Sequence, residues 1–181
     1  MSLPNLITLA RILSVPIVIW AISSGEMLFA FILFVAAGIS DAVDGFIAKR
    51  FNMASELGAY LDPLADKALL VSIYVTLGLA GALPRWLVIL VVSRDVMIIG
   101  AVVLSWLVGR PIEVKPLWVS KLNTTAQIVL AGLVLAALGF GFDPGWADLA
   151  LMLTVAALTL LSAGAYVRDW VRHMGSTDIG S

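Results

Sequence analysis

Polar positions along this chain are scarce and clustered, and between the clusters lie six apolar runs, near 4–23, 27–49, 60–82, 86–108, 119–140 and 147–170. Each is close to the ~20 residues that a helix needs to cross the hydrocarbon of a bilayer. Gly25-Glu26, Pro84-Arg85 and Asp143-Pro144-Gly145 break the runs on one side, while Lys49 to Glu56 and Arg110 to Pro116 connect them on the other. The pattern predicts an all-α membrane protein of six transmembrane helices. One transmembrane domain is expected over 1–174, followed by a small, polar, disordered tail over 175–181. No repeat of fixed period runs through the chain.

Composition narrows the class. The hydrophobic fraction of 61% exceeds the roughly 45–50% of soluble domains, and mean hydropathy is +1.06. Only 13% of the residues are charged, with a net charge of -1. The basic residues form no face or tail that could track phosphates, which excludes a nucleic-acid binder. With no cysteine, disulfides, thiolate metal sites and a cysteine nucleophile are excluded, so a metal must take oxygen ligands.

Lys49, Arg50, Arg110, Lys115, Lys121, Arg168 and Arg172 fall on one side, and only Arg85 on the other. The positive-inside rule then puts both termini in the cytoplasm. The first run lacks a basic flank, carries Arg11 and is followed by further spans, so it is expected to be retained rather than cleaved. An Arg-rich presequence is also missing, and a bacterial inner membrane is the expected location. All six tryptophans stand near span ends, where an amphipathic ring suits the headgroup zone.

Ionisable groups inside such spans are costly and by default mark function. Asp41 and Asp44 stand at i and i+3 on the second span, and Asp62 and Asp66 at i and i+4 on the third. Each pair shares a helix face. Because the second span runs inward and the third outward, the pairs converge towards a polar cavity on the cytoplasmic side. Four carboxylates at close quarters repel, and with no His or Cys nearby they suit a hard divalent cation. Gly45 and Ala48 share the aspartate face and Gly58 precedes Asp62 by one turn, so a ligand can approach the backbone there.

The run Asp41-Ala-Val-Asp44-Gly45-Phe-Ile-Ala48-Lys49, followed by Gly58-Ala-Tyr-Leu-Asp62-Pro-Leu-Ala-Asp66, resembles the CDP-alcohol phosphotransferase signature, D-x-x-D-G-x-x-A-R-x8-G-x3-D-x3-D. One fixed position differs: Lys49 replaces an Arg, which keeps a cation but not the planar bidentate fork. The resemblance implies a lipid-synthesising transferase in which an acceptor hydroxyl attacks the pyrophosphate of a CDP-linked donor and CMP leaves. It implies a two-metal site of Mg2+ or Mn2+ held by Asp41, Asp44 and Asp62 and completed by Asp66, with Asp66 as the general base. Gly45, Ala48 and Gly58 would line the cytidine pocket, with Lys49 nearby. Family members commonly form homodimers, so a homodimer is expected.

Outside the signature, Asn5, Thr8 and Arg11 follow an N-x-x-T-x-x-R pattern associated with the first span of bacterial members, and their spacing puts them on one face. They either line the donor cavity or serve as a helix cap and a snorkelling cation. Lys67 is a counter-charge or a phosphate ligand. Arg94 and Asp95 lie deep in the fourth span, where they pair structurally or line the acceptor cavity, with Arg94 expected on the acceptor phosphate. Ser120-Lys121-Leu-Asn123-Thr124 opens the fifth span, and Lys121 there is either a phosphate ligand or a membrane anchor.

The opening run Pro-Asn-Leu-Ile-Thr-Leu-Ala-Arg is similar to two bacterial branches, the phosphatidylglycerophosphate synthases and the CMP-forming cardiolipin synthases. Glycerophosphate-using members carry Arg-Glu in the fourth span and a second Arg eight positions later. Here the pair is Arg94-Asp95 and the later position is Val102. Loss of one cation favours a singly charged phosphodiester over a phosphate dianion. The expected donor is CDP-diacylglycerol, the expected acceptor phosphatidylglycerol and the expected product cardiolipin. Glycerol 3-phosphate is the alternative acceptor.

Overall fold

The computed structural model of the chain describes residues 3–51, 56–107 and 118–175. They form six α-helices in chain order: α1 (Leu3–Ser23), α2 (Met27–Phe51), α3 (Glu56–Leu79), α4 (Arg85–Leu107), α5 (Trp118–Phe140) and α6 (Trp146–Gly175). No strand occurs among the described residues. Trp118–Phe140 and Trp146–Arg172 are long and apolar enough to cross a membrane, and Leu9–Ser23 and Met27–Val43 are shorter apolar stretches. Every apolar run thus becomes a helix, with ends shifted by a few residues. The largest extension is on α6, which continues to Gly175 through Arg172 and His173. An apolar run stops where the hydrocarbon would, whereas backbone hydrogen bonding continues into water.

Three of the helices close in the same way. After α1, Gly25 adopts φ 81°, Gly25 N–H donates to the Ile22 carbonyl at 3.1 Å, and Glu26 N–H donates to the Ala21 carbonyl at 2.8 Å. This Schellman closure satisfies the last carbonyls of a helix without extra chain, and it needs a left-handed residue that only glycine takes cheaply. The same i to i−5 bond ends α3 (Ala82 to Leu77, 2.9 Å) and α5 (Phe142 to Ala137, 3.1 Å). Before α6, the Asp143 carboxylate accepts from Gly145 N–H at 2.8 Å, an Asx turn that fixes the entry.

The chain divides into two compact units. The first comprises residues 1–84 and 131–148, and the second 85–130 and 149–181. In the first, α1 packs along α2 and α3. Its contact stripes are regular: Arg11, Val18 and Ile22 on α1, and Ala65, Leu69, Ile73 and Leu77 on α3, are all buried. These spacings of four and seven are one face of a helix. In the second unit the buried stripes begin apolar, with Leu87 and Val91 on α4 and Val155 on α6, then turn polar at Arg94, Asp95, Thr159 and Ser162. Large apolar side chains point outward along the helices, among them Leu13, Ile89, Leu153 and Leu161. An apolar exterior of this extent suits lipid, not water.

Candidate functional site

Arg11 organises the polar end of the first unit. It sits on the inward stripe of α1 and is only 4% exposed, so its charge must be met within the protein. Its Nη1 donates to Asp66 Oδ1 at 2.6 Å, and its Nη2 lies 2.9 Å from Asp41 Oδ1. The second contact is an ion pair whose angle falls short of a hydrogen bond, and Arg11 Nε has no hydrogen-bond partner among the described residues. Within α1, Ser14 Oγ donates to the Arg11 carbonyl at 2.7 Å, one turn before Pro16 interrupts the backbone ladder. The Arg11 charge is thus met by Asp41 and Asp66 inside the unit.

The two acids come from different helices, Asp41 from α2 and Asp66 from α3, and they meet on one guanidinium. Their side chains are 48% and 47% exposed, so each is fixed by a buried cation yet open to a ligand. Asp44 follows Asp41 by three residues on α2, and Asp62 precedes Asp66 by four on α3. Helical spacing puts each on the face of its partner. The side chains of Asp44 and Asp62 lie outside the described residues, as do those of Asn5, Thr8, Gly45, Ala48, Lys49 and Gly58. Among the described residues no three acid or imidazole groups stand together as a metal site. Among the described residues, Asp41 and Asp66 bring two carboxylates from two helices together, and carboxylate oxygens are what a hard divalent cation takes. Lys67, next to Asp66 on α3, is partly buried.

The second unit carries another charge centre. Arg94 is 3% exposed and Asp95 5%, and Arg94 Nη1 donates to Asp95 Oδ1 at 2.6 Å. The guanidinium also donates to Ser120 Oγ at 2.5 Å and to Ser162 Oγ at 2.7 Å from Nη2 and 3.2 Å from Nε. Its centre lies 5.6 Å from the Tyr166 ring. Lys121 is exposed, with its Nζ 5.5 Å from the Trp118 ring one turn earlier on α5.

Ser162 and Tyr166 surround Arg94, and Thr159 bonds to Asn123, but none of the three emerges from hydropathy, because a hydroxyl changes the local mean little. Their signal is positional: with Val155 they repeat at i, i+4, i+7 and i+11 on one face of α6.

The family model for CDP-alcohol phosphatidyltransferase matches residues 1–165. A cardiolipin synthase (CMP-forming) / mitochondrial hydrolase fusion protein of Schizosaccharomyces pombe is 32% identical over 98% of this chain and 33% of its own length. A probable phosphatidylglycerophosphate synthase of Mycobacterium tuberculosis is 33% identical over 96% of this chain and 84% of its own. Human cardiolipin synthase (CMP-forming) is 35% identical over 78% of this chain and 52% of its own. The chain therefore spans a third of the yeast fusion and about half of the human relative, but most of the mycobacterial one. With the aspartate signature on α2 and α3, and a family match that runs from α1 into α6, the chain belongs to the CDP-alcohol phosphatidyltransferase family of phospholipid-synthesising transferases.

Proposed function

We propose that the chain is a CMP-forming cardiolipin synthase that moves the phosphatidyl group of CDP-diacylglycerol onto a hydroxyl of phosphatidylglycerol. The observation that carries this reading is the meeting of Asp41 and Asp66, the first and last acids of the signature, on the buried guanidinium of Arg11. Asp66 is the general base. It takes the proton of the acceptor hydroxyl as that oxygen bonds to the phosphorus bearing diacylglycerol. The bond from this phosphorus to the bridging oxygen breaks, and its electron pair leaves with CMP.

The family generally uses a divalent metal, and Asp41, Asp44, Asp62 and Asp66 would hold Mg2+ or Mn2+ here. When bound, a metal pair supplies charge stabilisation to the pyrophosphate and the departing phosphate. Arg11 restrains two of the carboxylates, and its unpartnered Nε offers a further donor to an anionic donor substrate. Asn5, Thr8, Gly45, Ala48, Lys49, Gly58 and Lys67 would line the donor side, and Lys121 the acceptor side.

The acceptor follows from charge. Asp95 neutralises Arg94, and position 102 is valine. The Arg94–Asp95 pair thus offers no net positive charge to an incoming phosphate, which suits the single charge of a phosphodiester better than a dianion. The name and the 84% coverage of the mycobacterial relative favour a second reading, phosphatidylglycerophosphate synthesis from glycerol 3-phosphate. The apolar exterior and the Lys/Arg asymmetry support a multi-pass protein of the bacterial inner membrane with the site on the cytoplasmic side.

The test is reconstitution of purified protein with CDP-diacylglycerol and Mg2+ or Mn2+, offering phosphatidylglycerol or glycerol 3-phosphate in parallel and identifying the product by mass. Cardiolipin from the first alone is expected. Phosphatidylglycerophosphate from the second would overturn the acceptor and retain the family chemistry.

A further inference from the structure

The polar half of the second unit is more elaborate than an ion pair requires. Arg94, Asp95, Asn123, Gln127, Thr159 and Ser162 are each at most 5% exposed, and they continue the apolar inward stripes of three helices. The seam is built in rungs. In the first, Arg94 of α4 donates to Ser120 of α5 and Ser162 of α6. In the second, Thr159 Oγ1 of α6 donates to Asn123 Oδ1 of α5 at 2.9 Å. Ser120 and Asn123 are one turn apart, as are Thr159 and Ser162, so two successive turns of α5 are bonded to two successive turns of α6.

A guanidinium that grips phosphate must present a fork of N–H groups to it. In Arg94, Nε, Nη1 and Nη2 each already donate to a protein oxygen, and the guanidinium centre lies within cation–π range of the Tyr166 ring. Turning that fork to a ligand would break the bonds to the buried Ser162 hydroxyl and to the part-buried Ser120 hydroxyl. On α6 the guanidinium holds Ser162 and faces the Tyr166 ring, and on α5 it holds Ser120, in a first turn whose N–H groups have no intrahelical partner and which is held mainly by what its side chains touch.

We propose that Arg94 is a positioning residue and not an acceptor ligand. With Ser120 and Ser162 it clips the first turn of α5 to α4 and α6, and so sets the place of Lys121, the neighbour of Ser120. The second half of this statement rests on Lys121 as the acceptor-side cation; the clip itself does not.

The experiment is a double-mutant cycle on the reconstituted full chain, with R94Q, the pair S120A/S162A and the combined variant. Thermal midpoint and the KM values for phosphatidylglycerol, glycerol 3-phosphate and CDP-diacylglycerol are read for each. Both ends of the clip should lower the midpoint, and the combined variant should lose no more than the worse of the two, since one interaction is being broken from either side. The KM for whichever acceptor is turned over should rise about tenfold in R94Q and in the serine pair alike, with the CDP-diacylglycerol KM unchanged. K121A should raise the acceptor KM without lowering the midpoint.

Additive midpoint losses would overturn the clip. So would a raised acceptor KM in R94Q at an unchanged midpoint with a silent serine pair, because Arg94 would then be touching the acceptor. A coupled cycle with a silent K121A would keep the clip and overturn the acceptor role of Lys121. If R94Q is not recovered folded, R94K against S162A completes the cycle with the same coupling expected, since lysine keeps the charge but not the fork.

Discussion

Arg11 and Arg94 are both buried arginines, yet their partners differ in exposure and so do the consequences of losing them. Arg11 is closed off while its two acids are about half in water. Its removal costs less than the 3–5 kcal/mol or so of a fully buried pair, and about 2 kcal/mol is the reasonable figure after solvent screening. R11Q should therefore lower the thermal midpoint of the metal-free protein by ~5 °C, and added Mn2+ should recover part of the loss by taking over as counter-charge to Asp41 and Asp66. A midpoint unchanged without metal would show that Arg11 does not hold the acids. At Asp66 the prediction concerns chemistry: D66N should lower kcat by about 10²–10⁴ while CDP-diacylglycerol binding, followed by direct titration, survives. The aspartates were legible in the sequence because a carboxylate in an apolar run is conspicuous. What was not legible is that Arg11 bridges two of them, since nothing in a linear pattern says which of several acids a distant cation meets.

The helices themselves were readable because each apolar run is bounded by residues with a backbone reason to stop one, as Gly25, Gly81 and Gly141 do after α1, α3 and α5. How the helices approach one another was not readable, and Gly139 illustrates why. A Cβ added there would meet Leu28 Cα at 2.9 Å and Leu28 N at 3.0 Å. The end of α5 thus lies directly on the backbone at the start of α2, and Phe31 and Phe140 stack edge to face beside it at 5.7 Å. Backbone cannot move aside as a side chain can, so G139A should cost about 1–3 kcal/mol. Gly132, seven residues earlier, would meet only the Phe34 ring edge at 3.4 Å, an ordinary contact. G132A should stay within ~0.5 kcal/mol of the parent. Thermal midpoints of the two variants, measured in the same detergent, check the contrast; a G139A midpoint at or above that of G132A would mean that close approach does not govern Gly139, since alanine's better helix propensity alone would raise both.

For the molecule as a whole, the outward-facing apolar side chains suit lipid but carry no direction of insertion. Direction rests on seven Lys and Arg near span ends on one side against Arg85 on the other, and each basic residue opposes transfer across the membrane. Because the chain has no cysteine, a single introduced thiol reports its own compartment. Ser24 is exposed in the connection between α1 and α2, and Asn52 directly follows Phe51, the last residue of α2, in the sequence. In intact cells S24C should react with a membrane-impermeant maleimide and N52C should not, and N52C should become reactive once the membrane is opened. The reverse pattern would put the aspartates on the outer face, away from a cytoplasmic supply of CDP-activated lipid, and would count against the proposed synthase as strongly as against the charge rule.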